Sequence, residues 1–196
     1  MRLRRTIHIL MAGWLLWSAA WPVSAQQTPA SEYKIKAAFL YNFAKFIEWP
    51  DLGNSAATDA FVIGILGKDP FGPEIQVIEG KLVKGKPLRV IRSASLDELK
   101  SSQVLFIGAA SPAELTRILK SLQGRPVLTV GDTDGFAREG VMINLTTEEN
   151  KVRFEINPQA AEQAGLKISS HLLRLAKIVT AEGNESNHGT IPKSVD

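Results

Sequence analysis

The chain has 196 residues, of which 44% are hydrophobic and 22% are charged, and it contains no cysteine. This composition is typical of one globular domain and excludes disulfide-stapled scaffolds and cysteine nucleophiles. The formal charge is +3, and its meaning depends on three arginines in the first five residues.

Residues 1–25 read MRLRRTIHILMAGWLLWSAAWPVSA, with a basic start, an apolar run and a small-residue end. This pattern predicts a secretory signal peptide that is cleaved after Ala25. Cleavage removes three arginines and leaves 171 residues with 20 basic and 20 acidic side chains. Such a neutral domain lacks the positive surface of a nucleic-acid-binding protein, so no nucleic-acid partner is expected. The alternative is an uncleaved anchor, although the apolar run is shorter than the roughly 20 residues that a membrane span needs.

The first predicted element of the exported part is an amphipathic helix from Glu32 to Ile47. Ile35, Phe39 and Phe43 recur at helical spacing, while the lysines of this segment fall outside that stripe. We expect the aromatic side to pack on a sheet. Any part left uncovered would favour a homodimer.

Three continuous apolar runs are typical of strands that are buried on both faces: FVIGIL at 61–66, VLFI at 104–107 and VLTV at 127–130. The segment LRVI at 88–91 alternates with polar residues, which places it near a sheet edge. Helices are predicted between these strands at 71–78, 96–100 and 113–122. The alternation of strand and helix predicts parallel pairing.

The pattern changes after residue 130. Apolar and polar residues alternate over 141–145 and 152–156, which predicts an antiparallel hairpin. Asn157-Pro158 opens a helix, and a last helix is predicted after Gly165. The polar tail at 182–196 has the composition of a disordered segment. Residues 26–181 therefore form one α/β domain, a three-layer sandwich whose mostly parallel sheet ends in an antiparallel hairpin.

Familiar catalytic motifs fail on context or spacing. Residues 80–86 resemble the start of a phosphate-binding loop, but Pro87 replaces the magnesium-binding Ser or Thr and the segment leads into a strand. Two histidines, His171 and His188, follow residue 25, and no Gly-x-Ser-x-Gly turn presents a serine nucleophile. We therefore predict no catalytic residue, no metal site and no cofactor.

Glycine-led loops follow three of the predicted parallel strands. Ligands of open parallel sheets bind beyond the carboxyl ends of the strands, so these loops predict a ligand crevice. Glycine also serves simply to turn the chain after a strand, and that interpretation stays open. The candidate crevice residues are Gly67, Asp69, Phe71, Gly108, Ser111, Gly131 and Asp132.

A second candidate surface lies on the predicted last helix. Lys167, His171 and Arg174 are spaced by four and three residues, which on a helix forms one cationic stripe. Such a stripe is also what an ordinary solvated helix face looks like.

Five segments, in this order, resemble the YfiR-like periplasmic family: YKIKAAFLYNFAKFIEWP at 33–50, FVIGILGKDPFG at 61–72, VLFIGAAS at 104–111, GRPVLTVGDTDGFAREGVMINL at 124–145 and VRFEINPQAAEQAGLKISSHLLRLAKIV at 152–179. The resemblance covers nearly all of the exported part. It implies a periplasmic regulator without enzymatic activity, whose partner is the periplasmic sensor domain of an inner-membrane diguanylate cyclase.

The resemblance also implies that this regulator inhibits the cyclase, lowers cyclic di-GMP and biofilm formation, and is itself sequestered by an outer-membrane lipoprotein. It places the partner contacts near the C-terminal helix region, where we nominate Leu166, Lys167, Ile168, His171 and Arg174. The cysteine pairs of similar members are missing here, so a thiol switch is excluded. The alternative from another class is a stand-alone small-molecule sensor that uses the crevice.

Overall fold

The structure is a computed structural model that describes residues 28–50 and 59–180. The predicted signal peptide at 1–25 and the predicted tail at 182–196 lie outside the described residues. A 3-10 helix, Gly72–Val77, accompanies the other elements, which are, in chain order, α1 (Pro29–Phe46), β1 (Ile47–Glu48), β2 (Phe61–Leu66), β3 (Leu82–Val83), β4 (Lys86–Ser93), α2 (Leu96–Leu99), β5 (Val104–Ile107), α3 (Pro112–Leu122), β6 (Leu128–Gly131), β7 (Ile143–Glu148), β8 (Lys151–Ile156), α4 (Pro158–Gln163), β9 (Lys167–Ile168), α5 (Ser170–Leu175) and β10 (Lys177–Ile178).

Eight strands form the main sheet in the order β10-β8-β7-β6-β5-β2-β4-β3. The strands from β4 through β7 are parallel, whereas β7 and β8 form the predicted antiparallel hairpin. The short β10 adds parallel to β8 and extends the sheet past that hairpin. The predicted α/β class with a mostly parallel sheet is therefore confirmed.

One face of the sheet is covered by α1, the 3-10 helix, α4 and α5. Phe43 of α1 is fully buried, and its ring centroid lies 5.3 Å from that of Phe154 in β8. The rings of Phe71 and Phe106 meet edge to face at 4.7 Å. Such aromatic contacts add about 1 kcal/mol each beyond the burial of their area. The predicted packing of the aromatic helix on the sheet is confirmed.

The opposite face is covered by α2, α3 and the turns that precede β7. Leu115, Ile118 and Leu122 of α3 form a core there with Leu105 and Ile107 of β5. Helices on both faces make the molecule a three-layer sandwich. The cap of α3 is Ser111, whose hydroxyl accepts a hydrogen bond from the backbone N–H of Glu114, and Pro112 occupies the first helical position.

The prediction of one continuous last helix after Gly165 is wrong. Ile168 pairs across β9 and β1 with Ile47, so the backbone is extended at the point where the helix was expected. Ser169 then caps a separate short helix, α5, by accepting a hydrogen bond from the Leu172 N–H. Lys167 therefore lies on a strand, and the three-residue helical stripe does not exist.

The buried side of α1 differs from the predicted stripe. Lys36, which the sequence pattern placed on the polar side, is 4% exposed, whereas Phe46 is 39% exposed. The difference is a rotation of the helix that brings one charged side chain inward. None of the helices in the described ranges is long and apolar enough to cross a membrane.

Candidate functional site

The carboxyl ends of β2 and β5 border an open crevice. The chain leaves β2 for β4 on one side and later adds β5 on the other side of β2, and ligands of open sheets bind at such reversals. A cavity of about 240 Å³ lies between these strand ends and α3. Gly67 and Gly108 line it together with Glu114, Arg117 and apolar residues, so two of the predicted crevice residues meet here.

Glycine is required at the two crevice positions, Gly67 and Gly108, for different structural reasons. Gly67 has a φ of +78° with open space around it, so glycine serves the turn. At Gly108 a Cβ atom would lie 2.5 Å from the backbone oxygen of Lys68, so glycine permits a close approach of two loops. The interpretation of glycine as a turn residue therefore holds for Gly67, while Gly108 is required by packing.

The loop after β6 does not join this crevice. Lys36 Nζ lies 3.0 Å from Asp132 Oδ2 and 2.9 Å from Glu32 Oε1. The Tyr33 hydroxyl donates to the same Asp132 oxygen at 3.0 Å, and the Thr147 hydroxyl donates to Glu32 at 2.8 Å. Side chains of α1 thus occupy the end of β6, and neither Gly131 nor Asp132 lines the cavity beside Gly67 and Gly108.

We call Glu32, Tyr33, Lys36, Asp132 and Thr147 the Lys36 cluster. Burial and charge shift three pKa values in it. Burial alone lowers the pKa of Lys36, but its hydrogen bonds to Glu32 and Asp132 reverse this, and the pKa of Lys36 is raised. The hydrogen bond from Lys36 lowers the pKa of Glu32. Burial, together with the charge of Asp132, raises the pKa of Tyr33. The cluster therefore holds the ammonium and the Glu32 carboxylate in their charged forms at neutral pH.

The other predicted crevice residues serve the fold. Asp69 accepts from the backbone N–H of Phe71 at 2.7 Å and from the guanidinium of Arg92 at 2.7 Å. Phe71 is 1% exposed and belongs to the core. Ser111 caps α3, and Gly131 is buried under an aromatic ring. The open crevice therefore keeps Gly67 and Gly108 and gains Arg117.

The C-terminal region forms a second candidate surface. Leu166 is 1% exposed and packs in the core, so it supports this region from within. Ile168 is half-buried, whereas Lys167, His171 and Arg174 are exposed. The three basic side chains that the sequence analysis singled out are therefore on the surface, but they lie on two elements, β9 and α5, instead of on one helix.

Apolar side chains accompany these cations. Leu175 is 62% exposed. The rings of Phe46 and His171 are in contact, with 5.6 Å between their centroids and a tilt of 44° between their planes. His171, Arg174 and Leu175 share one side of α5, because residues three and four apart on a helix are neighbours. We call this surface, formed by Phe46, His171, Arg174 and Leu175, the α5 face. Sequence reasoning missed Phe46 and Leu175 as surface residues, because large apolar side chains on a helix are typical of its packed side.

No three His, Asp or Glu side chains within residues 28–50 and 59–180 are grouped so that they could hold a metal ion. The Lys36 cluster was also missed by sequence reasoning. Its available signals were the Glu32–Lys36 spacing of four residues on a helix and an aspartate directly after a buried strand.

The sequence profile of the YfiR/HmsC-like family matches residues 33–177, from the second turn of α1 to the start of β10. The match thus includes the crevice, the α5 face, nearly all of the sheet and the Lys36 cluster except Glu32. A match to this family indicates a periplasmic regulator of diguanylate cyclase signalling. The chain therefore belongs to the YfiR/HmsC-like family.

Proposed function

We propose that this protein is exported to the periplasm, binds the periplasmic sensor domain of an inner-membrane diguanylate cyclase and holds the cyclase inactive. It acts without catalysis, by binding alone, and it lowers cyclic di-GMP and biofilm formation. An outer-membrane lipoprotein that competes for the same protein would relieve the inhibition.

The observation that carries this proposal is the α5 face. Leu175 and Phe46 expose apolar surface, and His171 and Arg174 stand beside them. Protein interfaces are enriched in aromatic residues and arginine at their centres. The part of the face on α5 is supported from beneath by the core residues Leu166 and Leu172, so it is a preformed surface.

Inhibition then follows from differential binding. A protein that binds the inactive cyclase more tightly than the active one shifts the equilibrium by the difference in binding free energy. A shift from 1:99 to 99:1 requires about 5.5 kcal/mol. An interface of standard size, about 1,600 Å² in total, is large enough to supply this difference.

The first test is capture of the cyclase sensor domain by purified protein. Leu175→Asp places a charge in the apolar part of the α5 face, and we expect at least about a tenfold loss of affinity. Leu82→Asp is the matched control, because Leu82 is 65% exposed on the opposite edge of the sheet. Equal affinities for the two variants would overturn the assignment of the α5 face.

The second test is cellular. Arg174→Glu should raise cyclic di-GMP toward the level of a deletion strain, whereas Lys120→Glu on α3 should keep the level of the unaltered protein. Both positions are exposed, so neither change is expected to alter stability by more than about 0.5 kcal/mol. Unchanged cyclic di-GMP in the deletion strain would contradict the proposed function itself.

The crevice favours a second candidate function, the binding of a small periplasmic molecule. Its support is the cavity of about 240 Å³ at the reversal of strand order. A metabolite screen by thermal shift tests this function. Binding that is lost in Arg117→Ala and kept in Leu175→Asp would support it, and the absence of any hit would count against it.

A further inference from the structure

A groove separates the exposed side of α1 from the 3-10 helix. It encloses about 350 Å³ and is lined mainly by apolar atoms, including those of Ile35, Ala38, Tyr41 and Val77. Val77 remains 39% exposed. We call this feature the α1 groove, and its volume lies at the small end of the range found for ligand pockets.

The charged side chains that line the α1 groove have one sign. Lys34 and Lys81 line it, and no carboxylate does. The ammonium groups of Lys81 and Lys45 lie 5.3 Å and 5.4 Å from the ring centroid of Tyr41. In the described part of the chain, none of these three lysines forms an ion pair within 4 Å. Apolar walls with a cationic end complement a molecule that has an apolar body and one anionic group.

We propose that the α1 groove binds a small amphipathic carboxylate. Its carboxylate lies at Lys81, beside Tyr41. Its apolar chain runs over Ala38 toward Lys34. Tyr41 and Lys34 are seven positions apart on α1, which corresponds to about 10 Å. The groove thus takes a chain of roughly that length.

Tyr41 holds the cationic end of the groove in place. Its hydroxyl donates to the backbone oxygen of Leu82 at 3.3 Å, so it connects α1 to β3 while its ring faces the two lysines. Ala38 leaves the middle of the groove open because its side chain is short and exposed. This site shares no residue with the α5 face, so it stands or falls separately from the proposed function.

The test is titration of the purified protein with octanoate, whose extended chain has about the required length, followed by calorimetry and by amide chemical shifts. We expect saturable binding with a Kd below about 1 mM. Acetate lacks the apolar chain and octylamine carries the opposite charge, so each should bind at least about tenfold more weakly. The shifts should cluster on α1 and the 3-10 helix.

Two variants and one control locate the site. Lys81→Gln should weaken octanoate binding up to about fivefold, as expected for the loss of one partly exposed ion pair. Ala38→Trp should block the groove and abolish binding, whereas Lys120→Gln on α3 should leave it unchanged. Equal binding of octanoate and octylamine, shifts confined to the crevice beside Gly108, or no saturable binding would each overturn the proposal.

Discussion

Two parts of the sheet's carboxyl edge differ in what the rest of the chain brings to them. We call the end of β6 the closed end, and the ends of β2 and β5 the open end. At the end of β6, Asp132 is engaged by Lys36 and Tyr33 of α1. At the ends of β2 and β5, the glycines border an open cavity. The ends of β2 and β6 have the same local sequence signature, a buried apolar run followed by glycine and a charged residue. The difference therefore arises from the tertiary position of α1.

This comparison shows why a crevice cannot be inferred from the loops alone. A buried ammonium is stable only where carboxylates pair with it, because the desolvation of an unpaired charge costs several kcal/mol. Lys36 meets that condition with Glu32 and Asp132. The carboxylate of Asp132, which the sequence analysis assigned to a ligand crevice, instead fastens the first helix to the sheet.

The largest expected effect follows from breaking the closed end. Lys36→Met leaves Asp132, whose side chain is 10% exposed, with the Tyr33 hydroxyl as its remaining hydrogen-bond donor. Removing one member of a buried ion pair costs about 3–5 kcal/mol, so we expect a loss of that size in the free energy of unfolding. Urea denaturation measures it. Lys34→Met, two residues away and exposed, is the control, and a similar small loss in both variants would contradict a fastening role.

A smaller effect is expected at the open end, where the two glycines can be compared directly. Gly108→Ala forces a Cβ against the Lys68 backbone oxygen, and we expect about 2 kcal/mol of destabilisation. Gly67→Ala meets no atom within 4 Å and carries only the strain of a positive φ, about 1 kcal/mol. Melting temperatures of the two variants provide the measurement. The reverse order would show that the Lys68 loop moves away from β5 at little cost.

Periodicity carried most of the fold prediction. The strands expected at 61–66 and 104–107 have the observed bounds. Short continuous apolar runs between turn residues are typical of strands that are buried on both faces. The last helix failed because a two-residue strand has no periodicity of its own. It is the pairing of Ile168 with Ile47 in a distant segment that extends the chain there.

The candidate sites were less predictable than the fold. Lys36 follows the polar pattern of a surface residue, and only the position of Asp132 in space makes its burial favourable. Phe46 and Leu175 follow the apolar pattern of core residues, yet they lie where α1 and α5 end and are left 39% and 62% exposed by the described part of the chain. In each case the decisive neighbour is far away in sequence.

The closed end should also make stability depend on pH. The raised pKa values of Lys36 and Tyr33 mean that the fold favours their protonated forms, so their contribution is complete below about pH 10 and is lost as the pH rises through the folded values. The lowered pKa of Glu32 gives a contribution that is present above its ordinary value of 4.5 and is lost as the pH falls through the folded value. Urea midpoints measured between pH 3 and pH 11 should therefore show a plateau near neutral pH and a fall at each end, the acid limb and the alkaline limb.

The variant Lys36→Met separates this cluster from the other charges of the protein. The hydrogen bond from Lys36 is the largest cause of the shift in Glu32, so the variant should lose part of the acid limb of the curve. An acid limb of unchanged slope would place the responsible carboxylates elsewhere.

The smallest effect is expected from Arg117→Ala in the crevice. Arg117 is exposed, and its Nε donates to the Ala113 backbone oxygen at 3.4 Å, a long bond within the same helix. We therefore expect a change in stability within about 0.5 kcal/mol by urea denaturation. Together with Lys36→Met, this result would separate an edge that has been committed to the fold from an edge that remains free to bind. A loss of more than about 2 kcal/mol would mean that Arg117 supports the fold as Lys36 does, and the contrast between the two ends would disappear.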